Sequence, residues 1–185
     1  MSFTSVPFDL ELDTTAFSCG EESLDKWLVD VAETETRRGS ARVWVWLNEQ
    51  GRVVAYYSLS ASKVKRDDIP KSLGRGGPVE IPAVLIGRLA LDRSLRGQNL
   101  GEVLLADALT RIVDATKTVG ARLVVIDALH EHVAVRYQRL GFRRLPNSLL
   151  LVQKVADIAA AHDKHQCTAA LVRFGDAVPS HASSL

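Results

Sequence analysis

The sequence predicts an α/β fold built on a mixed, mostly antiparallel central sheet flanked by helices. Three observations carry that prediction. Two β-branched and aromatic runs, ARVWVWL at 41–47 and RVVAYYSLSAS at 52–62, are joined by a turn-forming Asn48-Glu-Gln-Gly51. Two further apolar runs, at 83–92 and 122–128, lack the alternation of half-buried strands. Helical periodicity separates them, so the middle of the chain reads strand, strand, strand, helix, strand, helix, strand.

In chain order, Val6 to Leu12 reads as a first strand. Leu24, Trp27, Leu28, Val31 and Ala32 then recur at helical spacing. Glu21 and Glu22 suit the positive end of that helix, and Arg37-Arg38-Gly39 suits its stop. The hairpin at 41–62 follows, then a Lys-, Arg-, Gly- and Pro-rich stretch at 63–82 that reads as the longest loop. Ala83 to Asp92 is the expected central strand. Leu105, Ala108, Leu109, Ile112 and Val119 share one face of a helix expected over 100–119 and ended by Gly120. Arg122 to Ala128 is a buried strand, and Val133 to Leu140 a shorter helix stopped by Gly141. Residues 142–144 and 149–153 form a closing hairpin, and 155–162 a short helix. Residues 1–162 are expected to be one domain, and 163–185 a loosely held tail.

Composition narrows the function. The chain has 185 residues, 46% of them hydrophobic, enough for a real core. Its 23 basic residues are balanced by 22 acidic ones, so nucleic-acid binding would need a local patch. Cys19 and Cys167 form no CxxC pair, which favours a reduced compartment without a structural disulfide. The N-terminus has neither the basic start nor the apolar run of a signal peptide, and no segment has membrane-spanning length. A cytoplasmic protein is expected.

Arg96-Gly97-Gln98-Asn99-Leu100-Gly101 carries the strongest chemical signal. A helix N-terminus offers unpaired N–H groups and a partial positive charge, and small residues before it let an anion approach. Asn99 tolerates a left-handed turn better than most residues. The segment is neither a Walker loop nor GxGxxG, and alone it also fits an ordinary turn opening an ordinary helix.

Its surroundings decide for an anion. The stretch Leu85 to Leu105 resembles the acetyl-CoA-binding motif of the GNAT superfamily of N-acetyltransferases, in which a central strand runs into an Arg/Gln-x-x-Gly-x-Gly/Ala turn and a helix. Arg96 matches its lead position and Gly101 its last small one, while Asn99 departs at the middle glycine. Val135-Arg-Tyr-Gln-Arg-Leu-Gly-Phe142 resembles the superfamily's late helix. Residues 17–28, 54–59 and 81–90 are similar to the tRNA-acetylating toxin branch of type II toxin-antitoxin systems, a likeness covering about residues 8–160.

The resemblance implies a GNAT-like acyl-CoA N-acyltransferase fold, acetyl-CoA as cofactor, the amino group of aminoacyl-tRNA as acceptor and a ribbon-helix-helix antitoxin as partner. It leaves room for a homodimer. Leu89, Ala90, Leu91, Arg96, Gly97, Gln98, Asn99, Leu100 and Gly101 would hold the cofactor. Backbone N–H groups near Leu89 to Leu91 would hold the thioester oxygen, and Tyr137 would give its proton to the leaving sulfur. Lys63, Lys65, Arg66, Lys71 and Arg75 in the long loop, with Arg88 and Arg93 beside the central strand, could form a phosphate-tracking patch on one side; a solvated loop rich in cations is the plain alternative. No residue stands out as a base, and an α-amine, with a pKa near ~8, needs little help to lose its proton.

Other features weaken on inspection. His130-Glu-His132 has no partner at ligand spacing, so no metal is expected. His162, His165 and Cys167 read as solvated. Cys19 stands at a helix start, where a thiol can be acidified, but packing is the simpler role. Two alternatives to the toxin reading remain: an acetyltransferase for a small amine or a protein N-terminus, and a non-enzymatic acetyl-CoA- or partner-binding module.

Overall fold

The apolar run at 83–92 forms β4 (Glu80–Leu91), at the centre of the sheet in a computed structural model that describes residues 3–162. The other strands are β1 (Val6–Pro7), β2 (Arg42–Leu47), β3 (Val53–Lys65), β5 (Leu123–Asp127), β6 (Arg143–Arg144) and β7 (Leu150–Lys154). They lie in the order β1-β2-β3-β4-β5-β7-β6, and only β4 and β5 run parallel. The predicted tail, with His165 and Cys167, lies outside the described residues.

Several boundaries differ from the sequence reading. β1 stops at Pro7 instead of running to Leu12: Phe8 N–H still donates to the Val43 carbonyl, and the chain then turns, with Leu12 N–H bonded to the Asp9 carbonyl. The supposed long loop is much shorter, because Lys63-Val-Lys65 stays on β3 and pairs with Glu80 to Pro82. Val64 is buried there while its two lysine neighbours face solvent, the alternation of a half-buried strand. The helix expected over 100–119 tightens at its end, where Thr118 N–H bonds the Ala115 carbonyl. It therefore closes at Ala115, and Val119 is 69% exposed instead of buried.

The first helix, α1, runs from Glu22–Lys26 through a π-helical turn at Trp27–Val31 into Ala32–Arg38. Gly39 ends it at φ 74°, as expected of a glycine stop. A short α2 (Lys71–Gly74) follows β3; α3 (Leu100–Ala115) joins β4 to β5, and α4 (Glu131–Arg139) follows β5. Residues 155–162 are helical as well. One face of the sheet packs Trp46, Tyr57, Ile86 and Ile126 against Leu104, Leu105, Ala108 and Ile112 of α3 and against Ala134 and Tyr137 of α4. Val43, Val45, Tyr56 and Ala90 pack against Leu28 and Ala32 of α1. Trp46, Tyr56 and Tyr57 are thus core residues.

α3 is also fixed by polar contacts. The Asp107 carboxylate accepts from Ser5 Oγ and from Tyr57 Oη, both at 2.5 Å, and the Arg111 guanidinium covers the Trp44 ring at 3.3 Å. At its far end Thr110 Oγ1 meets His162 Nε2 at 2.6 Å, so His162 is packed and not solvated. The body of α3 is thereby held in place against the sheet.

One glycine opens the sheet. β4 pairs with β5 from Ala83↔Leu123 to Ile86↔Ile126 and no further. The register against β3 skips between Ser58↔Arg88 and Leu59↔Ile86, leaving Gly87 as the extra residue of a bulge. A Cβ there would stand 3.3 Å from Ser58 Oγ, tighter than side chains normally allow. Past the bulge β4 no longer pairs with β5, and a gap opens between them.

Candidate active site

The gap becomes a cleft of about 650 Å³, walled by Gly87 to Leu91 on one side and by Ile126 to His130 on the other. β3 takes only alternate backbone groups of β4. Beyond Ile86 the remaining ones face no strand, so the Leu89–Leu91 backbone is free to bind a polar atom in the cleft.

The glycine segment lies where β4 ends. Asp92 turns the chain by accepting from Ser94 N–H at 2.9 Å and from Ser18 N–H at 2.8 Å. Burial works against this carboxylate, but those N–H groups prevail and hold its pKa below the usual range. A 3-10 turn at Arg93–Leu95 leads to Gly97 at φ 77° and Asn99 at φ 56°, ψ 15°. Asn99 thus adopts the left-handed conformation its side chain was expected to tolerate. α3 begins at the next residue. A Cβ on Gly101 would meet only Leu91 Cδ1, at an ordinary 3.6 Å. Nothing in the protein's own packing demands a glycine at 101, and the space over it is open to a ligand. The first-turn N–H groups, the left-handed turn and the bare Gly101 together fit a diphosphate.

Arg96 is not free to reach such an anion as it stands. Its Nη2 donates to the Cys19 carbonyl at 2.6 Å, and a Cβ on Gly20 would lie 2.6 Å from the same nitrogen. Arg96 and Arg93 fasten the 18–20 segment to the end of β4. A nearer cation was not apparent from the motif: Arg136 of α4 pairs with Glu102, in the first turn of α3, at 3.1 Å.

Tyr137 lines the opposite wall. α4 ends at Gly141, whose φ of 98° reverses the chain and brings Phe142 to 6.1 Å from the Tyr137 ring. That geometry explains the Tyr-x-x-x-Gly-Phe spacing. Tyr137 is 8% exposed, and among the described residues its hydroxyl has no hydrogen-bond partner. Burial pushes its pKa up to about 12, against a smaller opposing pull from Arg136. The group is a phenol, able to donate, throughout the neutral range.

Cys19 also lines the cleft, but burial and the neighbouring Asp25 raise its pKa to about 11. A thiol so held is no acyl-accepting nucleophile at neutral pH.

The seven cations proposed for a phosphate track separate into two groups. Lys63, Lys65, Arg66, Lys71 and Arg75 gather around the turn between β3 and β4. Arg88, ninth of the 12 residues of β4, and Arg93, just past its end, lie further along; Arg88 is six residues, roughly 20 Å at ordinary rise, beyond Pro82, which pairs with Lys63. Arg88 lines the cleft and stands 5.6 Å over the Trp27 ring. In the distant group Lys63 is paired with Glu80 at 2.8 Å. The fold adds two cations that the sequence left unassigned: Arg122 donates to the Arg75 carbonyl and Arg143 to Ser72 Oγ.

No family model matches the chain. Over 147 residues, 78% of this chain and 88% of the relative, it is 37% identical to a tRNA-acetylating toxin of Mycobacterium tuberculosis. Among solved structures, AtaT complexed with acetyl-methionyl-tRNAfMet is similar with a TM-score of 0.80 and 31% identity, covering 87% of this chain and 99% of that one. AtaTR bound with AcCoA gives a TM-score of 0.76 at 30% identity, covering 86% and 98%. A mutant AtaT toxin bound to the C-terminus of the antitoxin AtaR gives 0.73 at 28%, covering 86% and 97%.

Proposed function

The chain belongs to the tRNA-acetylating toxins, a branch of the GNAT-type N-acetyltransferases, and from that premise we propose how its own residues perform the transfer. Acetyl-CoA is the acetyl donor, the amino group of an aminoacyl-tRNA is the acceptor, and an antitoxin is the protein partner. The observation that carries the residue assignment is the gap opened at Gly87, which puts the β4 backbone and Tyr137 on facing walls of one cleft.

Acetyl-CoA supplies an activated thioester. Gly97 to Gly101 would receive its diphosphate at the N-terminus of α3, with Arg136 nearest to add charge. Backbone N–H groups at Leu89 to Leu91 would donate to the thioester oxygen. Tyr137 would donate to the sulfur as it takes up negative charge. Transferring the proton completely from a phenol of pKa about 12 to a thiolate of ordinary pKa near ~8.5 runs uphill, so the hydrogen bond itself supplies most of the stabilisation. Residues 1–162 would form the whole catalytic domain. An aminoacyl-tRNA substrate implies work in the cytoplasm; among the described residues no helix is long and apolar enough to cross a membrane.

The two groups of cations support a long polyanion over a small amine. Arg88 is suited to the acceptor end in the cleft, and the distant group, with Arg122 and Arg143, to a phosphate backbone. Binding should release counterions, so log K should fall against log salt with a slope near ~−3 for four effective contacts. Neutralising Lys65 and Arg66 together should flatten that slope by about one to two units. Fluorescence titration of charged tRNA across salt concentrations reads it directly. A flat profile would move the substrate to a small amine or a protein N-terminus.

A further inference from the structure

Two side chains meet across the mouth of the cleft. His130, at the start of α4, places Nε2 2.8 Å from Glu21 Oε1, at the start of α1. The residues are 109 positions apart in sequence, and both line the cleft with Leu89 to Leu91 and Tyr137. The His132 ring stacks on His130 at 5.5 Å and 17°, which fixes the plane of the imidazole.

The hydrogen bond decides which nitrogen is available. A carboxylate only accepts, so Nε2 carries the hydrogen and, in the neutral ring, Nδ1 keeps its lone pair. Residues at this position often use their side chains to cap the helix, but His130 makes no capping bond. Its Nδ1 is therefore unspent. Both side chains are a little over 40% exposed, open to a substrate arriving from solvent.

We propose that His130 accepts the proton of the substrate's ammonium group and that Glu21 positions it. The inference rests on the acetyl-transfer reading above and adds the base that the motifs did not reveal. One proton passes from the ammonium to Nδ1 of His130 and on to solvent. The freed lone pair forms the C–N bond to the acetyl carbon, and the C–S bond breaks. Tyr137 holds the departing sulfur by a hydrogen bond, and the nitrogen's second proton, lost as the amide forms, passes to that sulfur. The products are an N-acetylated aminoacyl-tRNA and a free thiol. The other titratable or charged groups facing His130 in the cleft are Glu21, Arg88, Asp127, His132, Tyr137 and Cys19. Cys19 and Tyr137 hold their protons at neutral pH.

The test is kcat/KM against pH for the full chain and for His130→Gln and Glu21→Gln, with acetyl-CoA affinity measured by calorimetry. Without a base the enzyme must capture amine that is already neutral. For an α-amine of pKa near ~8 that is about 3% at pH 6.5, so His130→Gln should be slower there, by up to roughly 30-fold, and within about threefold of wild type by pH 9. Glu21→Gln should show a smaller deficit with the same pH dependence. Acetyl-CoA affinity should stay within about twofold, since neither residue lies at the diphosphate turn. A deficit equal at every pH, or none, would overturn the proposal. If the same pH-dependent deficit appeared only with a small free amine, the tRNA reading would fall and His130 would stand as the proton acceptor.

Discussion

Tyr137→Phe is expected to lower kcat by roughly 10²–10⁴-fold, the scale of losing a donor to developing charge. The change removes one oxygen and leaves the ring against Phe142, so folding should be almost unaffected. Acetyl-CoA affinity should also hold, because the hydroxyl has no bond to surrender among the described residues. The pH profile adds a second check. Burial raises the pKa of Tyr137 to about 12, so its neutral, donating form persists below that value and is lost only as pH rises through it. The wild-type rate should therefore show no descending limb between pH 7 and 10 that Tyr137→Phe abolishes. Single-turnover kinetics, which isolate the chemical step, would reveal an unchanged rate if Tyr137 only packs the helix.

Gly101→Glu should abolish measurable coenzyme A binding, weakening it by roughly 100-fold or more. A carboxylate at this point stands in the path of the diphosphate and opposes the helix N-terminus that would attract it. The fold should survive. The new Cβ meets only Leu91 Cδ1 at 3.6 Å, and in the first turn of α3 glutamate is a better helix former than glycine. An unchanged or slightly raised Tm, with no calorimetric heat on titrating acetyl-CoA, is the expected pair of results. Native affinity in a folded variant would remove the diphosphate from α3.

Much of this site could be read from local pattern. The strand–turn–helix unit announced itself through an apolar run, Gly97, Asn99 and Gly101, and the left-handed Asn99 follows from its own chemistry. Gly141 and Phe142 likewise placed Tyr137. What escaped was long-range or easily masked. Lys63-Val-Lys65 alternates as a strand should, but its charges and the nearby prolines imitated a loop. A lone glycine in the run Leu85-Ile-Gly-Arg88 is a known sign of a bulge, and read that way it would have located the gap. The π-helical turn of α1 has no local signature. Nor could spacing reveal that Glu21 and His130 meet, because the sheet brings together the starts of two helices from opposite ends of the domain.

The cation patch divides in the fold. Density in sequence suggested one surface, yet the length of β4 divides it. Arg122 and Arg143 join the distant group only because their strands end beside that turn.

Incubating the full chain with acetyl-CoA labelled in the acetyl group and total aminoacylated tRNA asks the decisive question. Label should enter the tRNA fraction, be released by mild base as an N-acetyl amino acid, and be absent when the tRNA is uncharged or Tyr137 is Phe. Label that never enters tRNA, but appears on a free small amine or on a protein N-terminus, would contradict the account.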